Sequence, residues 1–196
     1  MMPRWQDAFS GWMPRTLDCI SPHITAIVVN DSHGEVKWKG EVPVISLRPP
    51  KKEIRYLSSA LRYFGFSIKT ASPNEERILN QLITKIKPTH ILCQYLTFAT
   101  KFMNVWQSTN IPLFIHVHGY DITRDLRNIN QPDKRLFSNQ YFLNIKALEQ
   151  RALFIANCEF AKSMLIDCGI SAKRVTIKTP GVIVQENNHI HTKRKE

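Results

Sequence analysis

Glycine is scarce in this chain, 7 residues in 196, and nowhere do those seven form G-x-G-x-x-G or G-x-x-x-x-G-K-[S/T]. Such loops bring backbone N–H groups onto a pyrophosphate or around nucleotide phosphates. Their absence excludes the usual dinucleotide-binding Rossmann enzyme and the P-loop nucleotidase. Cysteine is sparse as well. Cys19, Cys93, Cys158 and Cys168 make no C-x-x-C or C-x-x-x-C pair, which removes zinc knuckles and dithiol redox motifs and leaves buried, reduced thiols as the expectation. No apolar run approaches the ~20 residues of a membrane-spanning helix. The first twenty residues break their apolar pattern with Arg4, Asp7, Arg15 and Asp18, unlike a secretory signal, so a cytoplasmic location is expected. Acidic residues are the minority charge: 16 Asp and Glu face 27 Lys and Arg, a formal balance of +11. That excess favours anionic partners such as a phosphorylated lipid, an anionic membrane surface or a sugar nucleotide. Part of it sits in a polar tail, residues 185–196, which reads as disordered. The remainder is scattered without the aromatic-interleaved pattern of RNA-binding modules, so nucleic acid is not an expected partner.

What is present is an ordinary globular composition, 43% hydrophobic and 22% charged, in a length that fills one domain, residues 1–184. Short apolar runs alternate with helical patterns. This argues for an α/β fold, a Rossmann-like parallel sheet sandwiched by helices. Strands are expected at 24–30, 42–47, 90–95, 112–116, 153–157 and 174–178, rich in Ile, Val and Leu with little alternation, as when helices cover both sheet faces. Between them, Ser72-Pro73-Asn74-Glu75 carries a helix start: Ser72 as N-cap, Pro73 at the first helical position and Glu75 completing a capping box. Ile78, Leu79, Leu82, Ile83 and Ile86 continue one apolar stripe until Pro88. Further helices run through Phe98, Phe102, Val105 and Trp106, through Phe142, Ile145, Leu148 and Ala152, and through Phe160, Met164, Leu165 and Cys168, the last capped by Gly169. These aromatic and Met positions are read as core packing. Asp31-Ser32-His33-Gly34 and Arg48-Pro49-Pro50 read as loops.

The densest chemistry is His116-Val117-His118-Gly119-Tyr120-Asp121-Ile122-Thr123, directly after the strand Leu113-Phe114-Ile115. Open α/β sheets bind ligands outside the carboxyl ends of their strands. Gly119 permits a sharp turn and a close approach of backbone to ligand. Asp121 can hold a hydroxyl or cap the following helix, and His118 offers an imidazole and a backbone carbonyl. Three readings stand side by side. In one, Asp121 is a helix cap and the histidines are packed and hydrogen-bonded. In the second, His116 and His118 are metal ligands, although no later His–Asp set completes such a site. The third comes from resemblance.

Residues 112–123 resemble the hydrophobic strand and HG-x-D turn of the large retaining glycosyltransferase family that includes colanic-acid and lipopolysaccharide sugar transferases. Three flanking segments agree in order. Ile86-Lys87-Pro88-Thr89-His90-Ile91-Leu92 is similar to the family's preceding strand entry. Residues 148–160, Leu148 to Phe160, are similar to its next helix and strand. Leu165 to Gly169, with Val175 to Val182, is similar to the segment that leaves its first domain. The likeness covers about residues 80–184. Departures are Thr89 where the family favours Asp, Asn157 at its usual Ser position and Ile183 in place of an Asp. Gln94 stands where the family often has a second His or Gln.

This resemblance implies the N-terminal, acceptor-side domain of a GT-B glycosyltransferase. Such an enzyme moves a hexose, with retention, from a nucleoside-diphosphate sugar to a glycan or lipid-linked acceptor, with no metal or other cofactor. It implies His118 and Asp121 as catalytic residues, and Gly119, Tyr120, Gln94 and Asn157 as substrate-binding ones. The family's donor-binding half, with its paired glutamates and phosphate-binding basic residues, has no counterpart in these 196 residues. The expectation is therefore a fragment or split form, inactive alone and acting at the cytoplasmic side of a membrane. A non-catalytic binding or interaction module that keeps the Rossmann-like fold is the alternative.

Overall fold

The computed structural model describes residues 21–29, 42–47, 71–119, 121–122 and 139–179. In chain order the elements are β1 (Ile27–Val29), β2 (Val44–Ser46), α1 (Pro73–Ile86), β3 (Ile91–Gln94), α2 (Leu96–Lys101), α3 (Met103–Ser108), β4 (Leu113–Val117), α4 (Asn139–Leu148), β5 (Ala152–Ala156), α5 (Glu159–Asp167) and β6 (Val175–Ile177), with 3-10 turns at Ser21–His23 and Ala172–Arg174. β1 and β2 pair in parallel, and β3-β4-β5-β6 form a second parallel sheet in sequence order. A mixed α/β, Rossmann-like layering is thus present, and all six expected strands occur. The loops expected at 31–34 and 48–50, Cys19, Ile183 and the tail lie outside the described residues.

Local chemistry explains the helix boundaries. Ser72 adopts extended backbone and its hydroxyl accepts from Glu75 N, while the Glu75 carboxylate accepts from Ser72 N at 2.8 Å. The same carboxylate is buried and takes Lys101 Nζ at 3.0 Å, tying the start of α1 to the end of α2. Lys87, left-handed at φ 50°, ends α1 just before Pro88. α5 ends in a Schellman motif: Gly169, at φ 91°, donates to Ile166 O, and Ile170 N donates to Leu165 O.

Four expectations are corrected. The helix read through 98–106 is two short helices, broken at Phe102, and the Trp106 indole N–H donates to Ala99 O at 2.7 Å across the break. Ala152 does not continue a helix but opens β5. Phe160, read as core, is 49% exposed. Cys158 is likewise exposed rather than buried, whereas Cys93 is buried.

The core lies on one side of the four-stranded sheet. Buried positions alternate along the strands: Cys93 on β3, Leu113, Ile115 and Val117 on β4, and Ala152, Phe154 and Ala156 on β5. Strands laid down in sequence order by right-handed crossovers place their connecting helices on the same face. Phe102, Val105 and Trp106 of the first connection, Ile145 and Leu148 of α4, and Ala161 and Leu165 of α5 complete that core. On the other face Leu92, Phe114 and Leu153 share a register row, and Leu92 and Leu153 are exposed. The lack of alternation in the sequence therefore does not translate, among the described residues, into equal cover on both faces.

Candidate functional site

Parallel pairing brings the strand ends to one edge. Gln94 is paired with His116, Val117 with Ala156, and Ala156 with Ile177. The ladder runs one step further: Tyr95 N donates to His116 O at 2.9 Å and Lys178 N donates to Ala156 O at 2.8 Å. One residue beyond the strands, His118, Asn157 and Lys178 therefore follow in a row from β4, β5 and β6. Gln94 and His116 sit two rows behind, on the same face of the sheet as His118.

Tyr95 shapes this edge. Its φ of 72° and ψ of 132° turn the chain from β3 into α2 through a region that side chains rarely enter. The turn aims Leu96 N at Asp121, whose Oδ2 accepts it at 2.6 Å. It also lays the Tyr95 ring on His118, centroids 4.3 Å apart.

Asp121 is fully buried. It caps α2, a helix that precedes it in sequence, instead of the helix expected to follow it. Asp121 N donates to His118 O at 3.1 Å, and Tyr141 Oη from α4 donates to Asp121 O at 2.8 Å. The 118–122 segment, in which Gly119, Asp121 and Ile122 are helical, is thus held at three points, with Ile122 buried. Oδ1 of Asp121 has no hydrogen-bond partner among the described residues. Burial pushes the carboxyl up to about 7, against the lowering influence of the Leu96, Asp121 and His118 backbone N–H groups. Asp121 holds backbone in place and does not face solvent.

His118 is half-buried. Its Nε2 lies 3.1 Å from Gln94 Oε1, and His116 Nδ1 lies 3.1 Å from the same oxygen. The two imidazoles are 4.4 Å apart. Burial, then the neighbouring His116, lowers the His118 imidazole to about 4. Burial, then the Lys178 ammonium, lowers His116. Both rings are neutral at neutral pH. Gly119 is not left-handed, and a Cβ there would meet nothing within 4 Å. The backbone there therefore does not require glycine, and among the described residues the space beside it is open. Asn157 is half-buried with Oδ1 unpartnered among the described residues. Tyr120 lies outside the described residues.

Of the residues expected from sequence, Gln94, His118, Gly119 and Asn157 meet at the edge, and Asp121 stands behind it. Sequence reasoning placed His116 in the cluster but gave it no substrate-binding role, and it missed Tyr95 and Lys178 as neighbours of the site. Period-two spacing of His116 and His118 and the strand-end position of Lys178 were available signals; the strained turn at Tyr95 left none. Among the described residues no group of three or more His, Cys, Asp and Glu could hold a metal ion, and no helix is long and apolar enough to cross a membrane. No protein-family model, curated protein or solved structure matches this chain.

Proposed function

We propose that this chain is the acceptor-side domain of a retaining glycosyltransferase. A donor-binding domain outside these 196 residues supplies the nucleoside-diphosphate sugar, and the acceptor is a glycan or a lipid-linked saccharide. One observation carries the reading: the HG-x-D turn sits at the carboxyl ends of parallel strands with His118, Gln94, Asn157 and Lys178 gathered beside it. Ligands of open α/β sheets bind at such edges. A neutral imidazole and an amide can hold sugar hydroxyls, and the Lys178 ammonium can meet a phosphate at the rim. Transfer through an oxocarbenium-like centre needs polar groups held in place beforehand, which the three-point anchoring of the 118–122 segment provides.

Gly119→Ala separates fold from ligand. The open space at Gly119 leaves the unfolding midpoint unchanged, whereas a methyl group at the edge obstructs a bound saccharide. Calorimetric titration with acceptor glycans should show binding that Gly119→Ala and His118→Ala both weaken. Mass spectrometry should show no turnover of UDP-, GDP- or ADP-hexose by the chain alone. Absence of any glycan binding, or binding indifferent to both substitutions, refutes the reading. Docking on a membrane is tested by pelleting with anionic liposomes, which should decline as salt rises.

A second reading is a non-catalytic binding or interaction module with the same fold. The burial of Asp121 favours it, because it withdraws from the edge a carboxylate that the resemblance assigns to chemistry. Glycan binding without transfer, even when a donor domain is supplied, would select this reading.

A further inference from the structure

We propose that Gln94 is a positioning residue whose side-chain oxygen fixes one tautomer on each of two histidines, the proton on Nδ1 in His116 and on Nε2 in His118. Gln94 Oε1 stands 3.1 Å from each of those nitrogens. An amide oxygen only accepts, so both nitrogens must carry hydrogen. The oxygen is held there by the fold. Gln94 closes β3 in register with His116, and the turn at Tyr95 that follows presses the tyrosine ring on His118. With the two imidazoles themselves 4.4 Å apart, the amide is shared by rings that cannot easily turn away.

An amide suits this position and a carboxylate does not. A glutamate here would place negative charge within hydrogen-bonding reach of both rings and favour two imidazoliums. Among the described residues, the other groups shown to bear on the pair act against protonation or are neutral. Lys178 at the end of β6 repels charge on His116, His116 repels charge on His118, and Tyr95 is an uncharged phenol. The Asp121 carboxyl bears on Tyr95 and Cys93. Gln94 thus completes a pair of oriented, uncharged imidazoles. Such a pair addresses neutral hydroxyls better than an anion. This ligand class rests on the function proposed above, whereas the tautomers do not.

Long-range proton–nitrogen correlation spectra of the 15N-labelled chain read each tautomer directly, with signals assigned from His116→Gln and His118→Gln variants. The expected spectrum at neutral pH shows Nδ1–H on His116 and Nε2–H on His118. Gln94→Glu should raise the titration of both rings by about one to three pH units. Gln94→Leu should leave each ring exchanging between tautomers. Reversed tautomers in the unaltered chain would mean that the amide nitrogen, not the oxygen, faces the rings, and would overturn the proposal. Unchanged tautomers in a folded Gln94→Leu chain would do the same. If that variant does not fold, the unaltered chain and the Gln94→Glu titration decide. Loss of glycan binding leaves these spectra untouched, so the two proposals fail independently.

Discussion

Replacing Asp121 with asparagine should change how stability depends on pH, and the structure sets the sign and size. Burial pushes the Asp121 carboxyl from 3.8 to about 7 in the folded chain. Across that window the folded chain keeps a proton that the unfolded chain releases. The stabilisation carried by this proton is complete below about pH 3.8 and is lost as pH rises through about 7. The difference of about three pH units, at ~1.4 kcal/mol each, corresponds to on the order of 4 kcal/mol. His118 acts in the opposite sense. Its imidazole is lowered from 6.5 to about 4, so the unfolded chain binds the proton first and stability rises with pH between those values. In the unaltered chain the two slopes offset each other. Asparagine retains an oxygen for Leu96 N–H but cannot ionise, so the offset disappears. Urea unfolding followed through the buried Trp106, repeated from about pH 4 to about pH 8, gives the test. The variant should gain on the unaltered chain by on the order of 4 kcal/mol across that range. A fixed cost of burying the new amide nitrogen shifts both ends equally and cancels. A difference that is flat in pH, or that grows toward acid, refutes the burial argument for Asp121.

Three further substitutions probe backbone and core. At Tyr95, glycine should be more stable than alanine by about 1 kcal/mol, the reverse of the usual order, because φ 72° suits only glycine; paired urea midpoints of the two variants decide this. Gly169→Ala should cost about 1 kcal/mol from its φ of 91° alone, since a methyl group there meets only Lys146 Cε at 4.0 Å. A midpoint equal to that of the unaltered chain counts against the Schellman geometry. Phe154→Ala removes a fully buried side chain from the middle of the sheet and should cost about 3–5 kcal/mol, with a large fall in thermal midpoint.

Much of the layering was legible because it rests on local rules. The capping box at Ser72 and Glu75, the stop at Pro88 and the glycine after Cys168 each act within a few residues, and each stands where the sequence places it. The break at Phe102 was not legible. Phe98, Phe102, Val105 and Trp106 keep helical spacing across it, and only the folded backbone, with Phe102 at φ −107° and ψ 35°, separates the two helices. At the site, His118 could be named from a strand end, and Gln94 and Asn157 from the resemblance. The partner of Asp121 could not, because Leu96 lies 25 residues away and meets it only through sheet pairing and the turn at Tyr95. Burial misled at Phe160, where an aromatic at helical spacing faces outward.

The placement of His116 and His118 on one side of β4 bears on how the sheet assembles. Sliding β4 by a single position against its neighbours would send both imidazoles beneath the helices and bring Val117 to the outer side. Two polar rings stranded among aliphatic groups cost roughly 1–3 kcal/mol apiece without partners. Residues useful at the edge thereby also penalise mispairing, so this short strand carries its own proofreading.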